Sequence, residues 1–323
     1  GGWRGTVTVI NCTFENNDGT SGDRETGGGA IFVKAGSTLV VRDSTFIGNK
    51  GINGGAIHNL LSNLTVINST FTGNDSRPGS SSAGFGYGGA IYTDGASEDT
   101  DDNIGGTITI RHSVFVDNIA AGQGGAVYSF VYPPDAVVID QSTFKNNMVV
   151  SDSRGDAFGG SLQQGNGDLF LSNSTFAGNV ARSQGGAFWR GEEGYATLTN
   201  VTFSGNRAVS NDTTGTGGLG GAIAGGELVC TNCTVAGNHA GYLGGAIFGG
   251  NNITLRNTII ANNTAFNDGH NWNINQNCSD SLIDGGNNMQ FPAKNPNDSG
   301  DPNCTASITI ADPKLAPLAN NGG

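Results

Sequence analysis

GGAIFVKAGSTLVVRDSTFIGN (residues 28–49) opens with two glycines and an alanine and closes with Phe-x-x-Asn. The string returns as GGAIHNLLSNLTVINSTFTGN (54–74) and as GGAFWRGEEGYATLTNVTFSGN (185–206). GGA-type openings stand at Gly28, Gly54, Gly88, Gly124, Gly159, Gly185, Gly220 and Gly244. The aromatic anchor falls at Phe14, Phe46, Phe71, Phe115, Phe144, Phe176 and Phe203, and Val235 and Ile260 take its place in the last two copies. Three residues after each anchor comes Asn17, Asn49, Asn74, Asn118, Asn147, Asn179, Asn206, Asn238 or Asn263. Anchors lie 25 to 44 residues apart, so a core is kept while loops vary, as in a solenoid.

Seven and five residues before each anchor the side chains are apolar, as in Leu39/Val41, Leu64/Val66, Ile108/Ile110 and Leu169/Leu171. That period of two marks a strand with one buried face. The anchor sits at an odd offset from the pair, which a straight strand would turn to the opposite face. The chain must therefore bend between them, at small or polar pairs such as Asp43-Ser44, Asn68-Ser69, Gln141-Ser142 and Asn173-Ser174. After the GGA opening comes an apolar residue (Ile31, Ile57, Ile91, Val127), read as inward, then a mixed one (Phe32, His58, Tyr92, Tyr128), read as outward. The glycines permit positive φ or close backbone approach at a corner.

Bending with repetition predicts an all-β fold, a right-handed parallel β-helix of about nine rungs with two or three strands per rung. Residues 1–265 form the coil; 266–323 are expected as an irregular tail packing on or capping the last rungs. The anchors should stack as an inward aromatic ladder and the asparagines as a structural ladder at one corner.

The composition narrows the function classes. Fifty-five glycines without a strict triplet exclude collagen. A net charge of −12 argues against nucleic acid and anionic membranes. No apolar run is long enough for a spanning helix. With neither an initiator Met nor a signal peptide, the chain reads as a mature product or fragment.

The paired GGAI and Phe-x-x-Asn motifs over residues 5–265 resemble the polymorphic outer membrane proteins of chlamydiae. The resemblance implies an adhesin passenger shaped as a right-handed β-helix. The C-terminal stretch, NTIIANNTAFNDGHNWNINQNC (257–278) and ADPKLAPLANNGG (311–323), is similar to bacterial choice-of-anchor surface proteins. That likeness implies a secreted, cell-surface location.

Cys278 and Cys304 flank a polar stretch without repeat columns and are expected to be bonded, closing a loop worth roughly 3–4 kcal/mol. Cys230 occupies an inward column; it reads as a small buried hydrophobe or, if the corner brings the two together, as a partner of Cys233. Sequons occur at Asn11, Asn63, Asn68, Asn74, Asn173, Asn200, Asn211, Asn232, Asn252, Asn262, Asn277, Asn297 and Asn303, a density that suits an extracellular glycoprotein.

Candidates for catalysis are thin. Glu98, Asp99, Asp101 and Asp102 offer oxygens to Ca²⁺, but without calcium-loop spacing they read as a solvated loop, and no cofactor or metal is expected. Glu192 and Glu193 beside Trp189 and Arg190 suggest a sugar subsite, against which stands a plain turn between strands. His58, His112, His239 and His270 fall in unrelated columns. An RGD triplet, Arg154 to Asp156, is of a kind common by chance. The sequence thus predicts a non-enzymatic, extracellular or cell-surface structural or adhesive protein. Its partners would be other copies stacked end to end, neighbouring surface proteins or glycans. The alternative is a polysaccharide-binding or polysaccharide-degrading β-helix.

Overall fold

The computed structural model describes all residues except 1, 24–25, 82–83, 99–104, 192, 210–216, 251, 267–275, 297–299 and 320–323. Every strand pairing is parallel, and strands of successive rungs lie side by side in four sheets. The first sheet collects the segments that follow the glycine pairs, from Gly2–Trp3 and Ile31–Lys34 to Ile247–Phe248. The second collects the alternating segments such as Thr38–Arg42, and the third the anchor segments such as Thr45–Ile47. This is a parallel β-helix.

A fourth sheet of seven strands, including Ile119–Gln123 and Met148–Val150, follows the corner asparagines. The loops beyond Asn147 and Asn206 therefore emerge after Met148–Val150 and Arg207–Ala208. Among its described residues, the stretch 266–323, expected to be irregular, carries three short strands. Ile283–Asp284 extends the second sheet, and Met289–Phe291 and Thr309–Ile310 extend the third.

The bend between alternating pair and anchor is a left-handed residue. Asp43, Asn68, Gln141 and Asn173 have φ of 46–49°. Asn and Asp adopt this region more readily than other side chains. Beyond it the anchor turns inward. Phe46, Phe71, Phe115, Phe144, Phe176 and Phe203 are wholly buried, whereas Phe14 on the first rung is half-buried. From Phe14 to Phe203 the rings stack with centroids 4.6–5.0 Å apart, the spacing of neighbouring strands.

The asparagine ladder is continuous. From Asn17 to Asn238, each donates its side-chain amide to Oδ1 of the next at 2.7–3.0 Å. Asn263 passes the chain to Asn277 in the tail at 2.9 Å. Ser44, Ser69, Ser113, Ser142 and Ser174 form a second ladder, each backbone N–H meeting the next Oγ at 3.1–3.2 Å.

The two glycines of each opening have separate jobs. The first, as at Gly124 and Gly159, has φ of 65–68°. The second faces its counterpart in the next rung: a Cβ on Gly125 would run into the carbonyl oxygen of Gly160. Only glycine lets the rungs stack there at strand spacing.

Candidate functional site

The glycine corner brings two columns together outside the coil. One is the second residue after Ala, the outward column of the first sheet: Tyr92, Tyr128, Gln163 and Trp189 are neighbours there in register. The other is the residue before the glycine pair, such as Tyr87 or Phe158. They interlock one rung out of step. Tyr87 packs on Tyr128 at 5.1 Å, and Phe158 stacks on Trp189 at 5.2 Å. Tyr92 also stacks on Tyr128 at 4.9 Å and meets His58 at 4.8 Å.

The outward column is accordingly more covered than the sequence suggests. His58, Tyr92, Tyr128 and Gln163 are buried, and Phe32, Trp189 and Phe248 are half-buried. Large rings from the pre-glycine position close over them, making a small second core on the outside of the solenoid.

Polar groups rim this strip. Tyr92 and Tyr132 donate to Asp94 at 3.2 and 3.0 Å. Arg154 pairs with Asp152 at 3.0 Å and Asp156 at 3.1 Å, and also donates to the Tyr87 hydroxyl. Burial raises the Asp156 carboxyl above its usual range; Arg154 opposes this and Asp152 adds to it. Burial, with the neighbouring Tyr92 and Asp94, pushes the Tyr128 phenol well above its ordinary value. The RGD triplet is closed on itself, since its arginine and aspartate bind one another. Within the strip, Gln163 Oε1 is buried and has no hydrogen-bond partner.

Among the described residues, the candidate sugar subsite does not bring Trp189 and Arg190 together. Trp189 and Arg190 are consecutive in a strand, so they face opposite sides. Trp189 is outside, with Nε1 donating to Gln184 Oε1 at 3.3 Å. Arg190 lies inside the coil, 1% exposed, donating to the carbonyls of Gln164, Gly165, Gly167 and Glu193. Burial lowers its pKa to about 10, with Asp168 and Glu227 pulling the other way. Glu192 lies outside the described residues. Arg190 ends a buried polar line, Asn59, Thr93, Ser129, Gln164 and Arg190, that the sequence reading missed. Alternation from the apolar inward residue was its available signal.

Glu98 holds Arg4 at 2.8 Å, whereas Asp99, Asp101 and Asp102 lie outside the described residues. The ends of that insertion are pinned by Asp135, whose carboxylate accepts from the backbone N–H of Ala96 (2.7 Å), Ser97 (3.2 Å) and Gly106 (2.6 Å). Among the described residues no group of three His, Cys, Asp or Glu is placed to hold a metal. His239 lies in the fourth sheet and His112 at the left-handed corner after Thr107–Arg111, both apart from His58 in the first sheet, and His270 is not described.

Cys278 pairs with Cys304 (Cα–Cα 5.3 Å) and Cys230 with Cys233 (6.0 Å); the left-handed corner at Asn232 brings the second pair together. Cys12 is free and exposed. Among the sequons, Asn11, Asn68, Asn173, Asn200, Asn232, Asn252 and Asn262 are exposed, Asn63 and Asn303 half-buried, and Asn74 and Asn277 buried. Asn211 and Asn297 lie outside the described residues. Several exposed ones form an outer ladder that the sequence reading also missed. Asn173 donates to Asp140 at 2.8 Å, Asn200 to Asn173 at 3.0 Å and Asn232 to Asn200 at 3.1 Å.

Residues 112–129 match the Chlamydia polymorphic membrane protein repeat. That window holds one anchor, Phe115, its ladder residue Asn118 and the glycine corner at Gly124. The probable autotransporter YfaL of Escherichia coli (strain K12) is 30% identical over 188 residues, covering 50% of this chain. The chain spans 14% of that relative's length. No solved structure matches. The repeat and the autotransporter likeness indicate a cell-surface or extracellular protein.

Proposed function

We propose that this chain is a non-enzymatic adhesive rod, whose coil is scaffold and whose glycine-corner edge meets partners. The observation that carries it is the division of labour within each rung. Repeated residues fill the interior and ladders, while residue type varies in the outer corner columns and the loops before them. Binding residues on variable loops held by a rigid frame are a common arrangement. The test is retention under flow of beads coated with the purified chain, on cultured animal cells and on polysaccharide films. Retention lost on replacing residues 151–156 supports the reading. Retention equal to bare beads on every surface overturns it, as does turnover of pectin or alginate.

The same reading extends to end-to-end association. Stacked parallel rungs of one copy would continue in those of the next. Sedimentation that stays monomeric at high concentration would remove this extension.

A further inference from the structure

We infer that the outer strip beside the glycine corner, centred on Gln163 and Trp189, binds an uncharged oligosaccharide running along the coil axis. The inference rests on the adhesive reading and names its partner class. By the same one-rung stagger that seats Tyr87 on Tyr128 and Phe158 on Trp189, Gln123, the residue before Gly124, would lie over Gln163. The strip therefore reads ring pair, amide pair, ring pair, with the ring pairs two rungs or about 10 Å apart.

Each part suits a sugar chain. Half-exposed Phe158 and Trp189 offer apolar ring faces. Gln163 supplies an acceptor that is 98% buried as a residue and unmatched within the protein. A buried acceptor left unpaired costs about 1–3 kcal/mol, and a turn of the amide that brings Oε1 to a ligand hydroxyl at the surface of the strip would relieve it. Half-buried Gln123 adds donors and an acceptor at the surface. The rung repeat matches a polymer that alternates ring faces with hydroxyl edges.

The surroundings narrow the occupant. The rim arginine Arg154 is already met by Asp152 and Asp156, and Asp94 adds a further negative charge. Acidic polymers would be repelled. A peptide strand has no edge to join, because the strands of Gln163 and Trp189 are paired on both sides.

The test is calorimetric titration of the whole chain with short gluco-, manno- and galacto-oligosaccharides, against oligogalacturonate. Saturable binding of a neutral series is expected, weakened at least about tenfold by Trp189→Ala through loss of ring stacking. Gln163→Leu should lose binding while thermal stability holds or rises, which a purely structural role would not give. Tyr195→Ala, on the second sheet's outer side, should bind normally. Binding of the uronate alone, or undiminished binding by Gln163→Leu, overturns the inference. So does no binding of any neutral series while coated beads still adhere. Loss of both adhesion and sugar binding would instead defeat the adhesive reading itself.

Discussion

Asn118 donates twice to a single atom of Asn147: its backbone N–H and its side-chain amide reach Oδ1 at 3.0 and 2.9 Å. Asn147 in turn donates to the carbonyl of Phe115 at 3.0 Å and to Asn179. One side chain thus satisfies groups of three rungs, all wholly buried. Asn147→Leu orphans two buried donors and should cost on the order of 3 kcal/mol. Denaturant unfolding with a probe in the middle rungs measures this; a change within experimental error would show that the ladder is ornament.

Two glycines of similar appearance should respond oppositely. Gly125→Ala forces a methyl into the Gly160 carbonyl and should block stacking of the rungs, giving insoluble or partly unfolded protein. Gly205 has φ of 65° with open space around its Cβ position. Asn146 stands at the same point of another rung with φ of 55°, so Gly205→Asn should shift stability by less than about 0.5 kcal/mol. Circular dichroism melts of both variants check the contrast.

Sequon occupancy should follow burial if the chain is made in an N-glycosylating host. Asn74 is wholly buried, with its amide donating to Phe46 and Asn118. Asn277 is buried and receives the amide of Asn263. Neither should carry glycan in folded protein. Asn200 and Asn232 lie one rung apart, too close for two bulky glycans, so peptide mapping should find them occupied alternately.

His239 should make the coil acid-sensitive. Burial, and then nearby Arg207, lower its pKa from the ordinary 6.5, so the folded state prefers the neutral ring. The unfolded chain then binds the proton first. Stability is present above 6.5 and is lost as pH falls below it toward the folded pKa. Melting temperatures at about pH 7.5 and about pH 5 should differ less in His239→Gln than in the unchanged chain. An equal difference would assign acid sensitivity to other groups.

The sequence by itself determined the coil. Period-two apolar pairs, an anchor at an odd offset and a recurring Phe-x-x-Asn are local signals whose burial follows from the strand's own alternation. They place Phe115 inside and Asn118 in a ladder at a corner. The tertiary structure alone decided what is covered on the outside. Tyr128 looks like a surface residue from its own strand, and is buried because Tyr87 of the preceding rung folds over it. Trp189 and Arg190 look like one subsite, and are parted by the sheet between them. The seven strands of the fourth sheet are mostly two or three residues long, too short to show a period. Alternation along one strand is written in the chain; contact between a loop of one rung and a strand of the next depends on the length and path of everything between them.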